Sequence, residues 1–419
     1  MILNRPLTPD EQTVSKLNYR RYNAVNGFSY MCLGETVLIL FAVKLGCSDS
    51  IVAVLGAMLY FGFVLLPLGK LMTARVGAAR SQADFWVMRN IAALIVAAAA
   101  PISIFVGNGA ASVLLLLGAF LFYGFRAAGV VMSQPLVGEI CDARHQGTFI
   151  ARCWLFFYTS GFLALLLITA LTKLSESVWM LFVVIVLGTV CGIVASGFIR
   201  RIRESGEILK YAARPILPEL RSALGNATIR QQLLAGMASN LAIILVIPIC
   251  MLTLKRGYGL SDSFALSFSI IQFAAQILGS WLLTRLADRF GGKRLTLAGF
   301  YCFYAIVIFW ILAPRSVIAP LFVLPFLLTC GSVIMGSSLT QYFLRTVPKA
   351  QQVAATIVIS VATGVASGLA GMGISSSLLK AAAHFNQTGE PMNTYRLYYL
   401  FVLCLLPAIG FFIHHLKRD

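Results

Sequence analysis

Apolar runs of 18 residues or more recur along the chain, divided by short polar segments. Each run is long enough, as a helix rising 1.5 Å per residue, to cross ~30 Å of hydrocarbon. The pattern predicts twelve spans, at 23–45, 51–69, 86–107, 112–138, 149–171, 178–199, 232–254, 264–284, 295–313, 317–340, 353–378 and 394–413. Most connections are short, which favours antiparallel neighbouring helices. The exception follows the sixth span. It opens on Arg200, Arg201, Arg203 and Glu204 and carries Pro215 and Pro218. There charge alternates with Ile208, Leu209, Leu217 and Leu220, which predicts a linker with a short amphipathic helix at the membrane interface. The predicted fold is therefore an all-α polytopic membrane protein: a six-helix bundle over 1–199, a linker over 200–230 and a second six-helix bundle over 231–419.

The halves repeat each other. Ser48-Asp49-Ser50 returns as Ser261-Asp262-Ser263, 213 residues later in a chain of 419. Each tripeptide is followed by an apolar run and then by a basic, glycine-containing turn. The first turn, Lys70 to Arg80, holds Arg75 and Gly77; the second reads Leu286-Ala287-Asp288-Arg289-Phe290-Gly291-Gly292-Lys293-Arg294. Symmetry at half the chain length is common in secondary transporters.

Composition narrows the class. The chain is 59% hydrophobic and 11% charged, less than half the charge of an ordinary soluble domain at about 25%. Residues 1–21 are polar, so no signal-peptide core is expected and the first span must target the chain and stay in it. The net charge of +18 raises the question of nucleic acid, but its distribution points elsewhere. With the N-terminus inside, 23 of the 33 Lys and Arg fall in cytoplasmic segments and seven in external loops or at the outer ends of spans. That bias sets orientation and places both termini in the cytoplasm, with attraction to anionic membrane lipid rather than nucleic acid. Seven of the nine Cys lie in apolar spans, and no Cys-x-x-Cys occurs. Neither a disulfide framework, a metal site nor a cofactor is indicated.

The segment from Leu286 to Arg294 resembles the loop signature of the major facilitator superfamily, D-R-x-G-x-K/R, at the equivalent place in a second half. The first-half copy departs from it: Ala74 stands where the Asp would be, and Ala78-Ala79 replace basic residues. Arg126, Gly129, Pro135, Glu139, Arg144 and Gly147 resemble that superfamily's fourth helix and following loop, and Pro348 to Gln352 echo them. The resemblance implies two bundles and transport by alternating access, with the first and fourth helices of each half lining a cavity. The loop's own chemistry reads the same way. Asp288 can accept from N–H groups at a helix end or pair with an Arg, Gly291 allows φ > 0, and Arg289 and Lys293 hold the loop inside. These residues, with Arg152 near the start of the fifth span, are candidate gating positions.

Two charges fall in span interiors: Glu35 in the first and Arg126 in the fourth. Either costs ~2.5–3.5 kcal/mol at mid-membrane unless paired or hydrated. Counting from the span ends puts both at similar depth, so both are expected to face the cavity. Arg126 offers a planar fork suited to a carboxylate, sulfonate or phosphate. Glu35 is the candidate proton-coupling group, its carboxyl tuned against Arg126. A permanent Glu35–Arg126 bridge is the structural alternative. Tyr123 shares a helical face with Arg126. Asn240, Gln272 and Gln276 are candidate neutral contacts for the substrate, or interhelical hydrogen bonds. Arg89 and Arg152 read as snorkelling side chains near the interface.

The function that follows is a proton-coupled secondary transporter for a small polar organic solute, with an anion suggested by Arg126. It is expected to act as a monomer in the inner (plasma) membrane. The alternative is efflux of amphipathic drugs or lipids; the Gly-Pro signature of drug/proton antiporters is missing from Tyr158-Thr159-Ser160-Gly161. An enzyme is not indicated, since no paired catalytic carboxylates occur and no His lies in a span interior.

Overall fold

A computed structural model describes residues 2–47, 51, 54–55, 58–59, 61–175, 177–259, 262–313, 321, 323–387 and 389–417. Ser48-Asp49-Ser50 and Ser261 fall outside this set, and the side chains of Asp262, Ser263 and Glu35 lie outside it as well. The ladder of apolar runs becomes a ladder of helices. They are α1 (Pro9–Cys32), α2 (Glu35–Lys44), α3 (Leu66–Val76), α4 (Ala78–Ala97), α5 (Ala99–Phe105), α6 (Asn108–Val130), α7 (Ser133–Ile140), α8 (Gln146–Leu174) and α9 (Val178–Arg200). Then come α10 (Gly206–Ala212), α11 (Ile216–Gly225), α12 (Ala227–Leu252), α13 (Asp262–Phe290), α14 (Gly292–Leu312), α15 (Val323–Thr346), α16 (Lys349–Val361), α17 (Ser367–Phe385) and α18 (Pro391–His414). Two-residue strands, β1 (Ile2–Leu3) and β2 (Glu204–Ser205), pair in parallel.

Ten helical stretches among the described residues are long and apolar enough to cross a membrane, and each overlaps a predicted span. Of the two remaining predictions, 51–69 falls partly outside the described residues, and 264–284 lies within α13. The helices begin and end where the sequence lets them. Thr8 and Glu11 form a capping box at the start of α1, and Ser177 caps α9. Gly77 and Gly291 take φ of +89° and +76° just before α4 and α14. Only glycine holds such a turn without strain, so the two halves keep the same turn where the loop signature has faded.

The first span is not one helix. The chain breaks at Leu33 and Gly34, with Gly34 extended (φ −68°, ψ 162°), and Glu35 opens the second piece. An apolar run cannot reveal this, because both pieces are apolar. A π-helical turn at Ala362–Ala366 likewise interrupts the stretch from α16 to α17.

Two compact units emerge. The first comprises 1–143, 156–219 and 348–357; the second comprises 144–155, 220–347 and 358–419. In the first, Cys32, Phe41, Ala92, Val96, Leu115, Ala119, Phe122 and Val184 form the core. In the second, Leu245, Phe300, Phe303, Trp310, Met335, Tyr342, Tyr398 and Tyr399 do so. Helices approach closely at small residues: a Cβ on Gly299 of α14 would lie 2.7 Å from the Gly331 carbonyl oxygen of α15. Leu117, Val183, Ile193, Leu278 and Phe411 stand exposed on helix exteriors, a distribution suited to lipid rather than water.

The linker forms two short helices, α10 and α11, where one was expected. It is fastened to the first unit. Glu219 of α11 pairs with Lys70 of α3 at 2.5 Å, and Arg203 pairs with Glu11 of α1 at 3.0 Å.

Candidate substrate site and loop latch

Two guanidiniums of the first unit, those of Arg126 and Arg89, bear on the site. Arg126, on α6, is half-buried with its guanidinium carbon 4.9 Å from the ring centre of Tyr30 on α1. Arg89, on α4, is 1% exposed. This overturns its expected place at the interface. α4 starts at Ala78, not at the apolar run near residue 86, so Arg89 lies eleven residues into the helix, about 16 Å along it. The Arg89 guanidinium sits 4.9 Å from the Trp86 ring and 5.2 Å from Phe122. It donates to Asn26 Oδ1 (3.5 Å), Ser29 Oγ (3.1 Å) and Asn90 Oδ1 (3.4 Å). Asn26 also accepts from Trp86 Nε1 at 2.9 Å, and Ser29 donates to the Gly188 carbonyl at 2.7 Å. The partners of Arg89 are thus themselves fixed, which orients the cation.

Among the described residues neither Arg89 nor Arg126 has a carboxylate partner within 4 Å. The predicted partner Glu35 is the first residue of α2, and its side chain is outside the described residues. Tyr123 is buried in the core, edge-on to Phe122 at 5.1 Å.

In the second unit the neutral candidates divide. The Asn240 amide donates to the carbonyl of Thr363, inside the π-turn, and to Ser367 Oγ at 2.8 Å. A π-turn frees a carbonyl from the helical ladder, and Asn240 fills it. That is the interhelical alternative weighed for this residue. Gln272 and Gln276 are half-buried on α13, and Gln276 Oε1 is buried without a hydrogen-bond partner among the described residues.

The loop residues converge on Asp288, at the end of α13. Its two carboxylate oxygens accept from the backbone N–H of Gly147 and Thr148, 3.1 Å each, in the first turn of α8. Gln341 Nε2 (3.4 Å) and Arg345 (3.2 Å), one turn apart on α15, complete the set. An anion is well placed at a helix N-terminus, where free N–H groups and the helix dipole both favour it. Thr148 Oγ1 donates to the Thr284 carbonyl at 3.0 Å and adds a second tie. Gly147 cannot be enlarged: a Cβ there would come within 2.5 Å of Gln341 Nε2. Gly291 makes the turn that follows. Lys293 donates to the Leu416 carbonyl at 2.5 Å, and Arg289 lies over Phe290 at 5.4 Å, exposed. Arg152 is exposed on α8. Sequence reasoning overlooked Arg345; its i+4 spacing from Gln341 was the available signal.

The family model of the major facilitator superfamily matches residues 22–371. The chain belongs to the major facilitator superfamily. It is an integral membrane transporter with that superfamily's two-bundle fold. Solved structures are similar at low identity. The proton:xylose symporter XylE matches with TM-score 0.71 at 14% identity, over 98% of this chain and 97% of the other. A bacterial homologue of the iron transporter ferroportin, in an outward-facing state, gives 0.73 at 12%, over 94% and 99%. The Escherichia coli fucose:proton symporter FucP gives 0.72 at 12%, over 97% and 100%. No curated protein sequence matches the chain.

Proposed function

We propose that this superfamily member is a proton-coupled secondary transporter of a small polar organic solute bearing negative charge. Arg126 anchors the solute, Glu35 carries the coupling proton, and the two halves, 1–199 and 231–419, alternate in access around them. The single observation that carries the reading is a half-buried Arg126 with no carboxylate partner among the described residues. A guanidinium in a membrane interior needs a counter-charge or water, and an anionic solute supplies the former. The structural neighbours carry sugars with protons, or iron, so their fold leaves the solute open. Two of them are proton symporters, which supports coupling.

The loop signature works as a latch. Asp288 holds the start of α8 in one conformation, and Arg289, Gly291, Lys293 and Arg152 shape and anchor that side of the protein. The basic segments support a cytoplasmic position for that side and for both termini, in an inner (plasma) membrane.

The test uses purified protein in liposomes, with solutes first found by the stabilisation that binding confers. Wild type accumulates the solute when an inward proton gradient is imposed. Glu35→Gln abolishes accumulation but retains exchange of internal for external solute. A Glu35→Gln protein that still concentrates the solute removes the coupling role.

A further inference from the structure

We infer that the interior of the first unit is built for a doubly charged anion, with Arg126 as the group that meets it and Arg89 as a fixed second cation behind. The inference rests on the reading that this unit binds the transported solute, and it narrows the chemical class to a dicarboxylate or a phosphate monoester.

Arg89 has the setting of a structural residue in every respect but one. It is enclosed, its plane is flanked by Trp86 and Phe122, and its terminal nitrogens are held by Asn26, Ser29 and Asn90. All three acceptors are neutral. They orient the guanidinium, and among the described residues no carboxylate offsets its charge and no acceptor meets its buried Nε. A buried Arg kept only for packing is costly compared with an apolar residue of similar volume, and one kept in an ion pair has its carboxylate beside it. Arg89 shows neither economy among the described residues. Its own charge cannot be lost, because guanidinium stays protonated.

Arg89 packs on Phe122, one helical turn before Arg126 on α6, and bonds Asn26 and Ser29 of α1, the helix whose Tyr30 underlies Arg126. The two cations therefore repel each other across a poorly screened interior. A monoanion docked on Arg126 cancels one charge. A dianion cancels both, and its second charge gains from Arg89 without touching it. Arg89 is on this account a positioning residue for charge, not a contact residue.

The experiment measures thermal stabilisation of the purified full-length protein by matched probes near pH 7.5. The pairs are succinate against its monoamide succinamate, and methyl phosphate against dimethyl phosphate, with methyl glucoside as the uncharged probe. In wild type, a dianion reaches half-maximal stabilisation at a concentration about tenfold below its monoanionic partner. Arg89→Gln closes that gap, Arg89→Lys keeps it, and Arg126→Gln loses the response to both members. The lysine variant separates loss of charge from loss of folding. Equal responses to the members of a pair, or a gap that survives in Arg89→Gln, overturn the dianion assignment while leaving an anion carrier standing. Stabilisation by the glucoside alone removes the anion reading as well. No response to any charged probe also overturns the assignment, because the two cations would then serve the scaffold.

Discussion

Glu204 sits on the N-terminus of the helix that starts at Ala78. One carboxylate oxygen accepts from the Ala78 N–H at 2.7 Å, and the other accepts from Ala79 at 3.2 Å. This is the chemistry that Asp288 performs on Gly147 and Thr148. The first-half loop lacks an Asp, with Ala74 in its place, and here the carboxylate comes from the linker instead. Gly77 makes room for it: a Cβ there would lie 2.4 Å from Glu204 Oε1.

Glu204 predicts a pH dependence. Burial pushes its carboxyl up to about 7, outweighing the two backbone hydrogen bonds that pull it down, and the nearby Glu139 adds to the rise. The folded protein thus binds a proton more tightly at this site than the unfolded chain does. Its contribution to stability is full below about pH 4.5 and is lost as pH rises through about 7. A tenfold difference in proton affinity corresponds to about 1.4 kcal/mol, so the stability change across this window is of order 3 kcal/mol at most. Melting of wild type and Glu204→Gln in detergent between pH 5 and 8 checks this. The melting temperature of wild type should fall relative to Glu204→Gln as pH rises; parallel curves would show that the carboxyl titrates normally.

The contacts of Asp288 are unequal, and the difference is measurable. The Arg345 pair is partly exposed on both sides, 21% and 22%, and such pairs contribute about 0–1 kcal/mol. The two N–H groups at the start of α8 need a carboxylate geometry that no other described side chain supplies. Arg345→Ala should therefore change melting by no more than a degree or two and transport by about twofold. Asp288→Asn puts an amide NH₂ against one backbone N–H, and it should lower the transport rate about tenfold or more. Solute binding, read by thermal stabilisation, should persist. Equal defects in the two variants would mean that the ion pair, not the helix end, holds the latch.

The helices were legible because a membrane leaves no other way to satisfy a backbone, so each crossing had to appear as an apolar run. The ends of the helices were less legible. α4 continues back through Arg80 and Asp84, which no hydropathy window counts as span, and Arg89 was consequently placed too near the surface. The break at Gly34 and the π-turn at 362–366 are set by backbone conformation within runs that stay apolar, and composition is blind to both. Asp288 was legible through its loop signature. Glu204 was not, because its partner in sequence, the start of α4, lies 126 residues away and carries no polar side chain to mark it.

Lys70 and Glu219 give the clearest test of how the linker is held. Lys70 is 1% exposed on α3, and Glu219 at 2.5 Å is the carboxylate beside it. Glu219 also has Arg214 within 3.9 Å, but Arg214 is more than half exposed and contributes little. Removing the carboxylate leaves a cation enclosed without its partner. Glu219→Gln should cost about 3–5 kcal/mol on that basis. Lys70→Met should cost far less, since Glu219 is more open to solvent and the methionine fills the volume of the lysine stem. The double variant Lys70→Met with Glu219→Gln should melt close to Lys70→Met alone, well above Glu219→Gln. A double variant that adds the two single losses would show that the residues act independently, and that packing of α11, not this buried pair, fastens the linker.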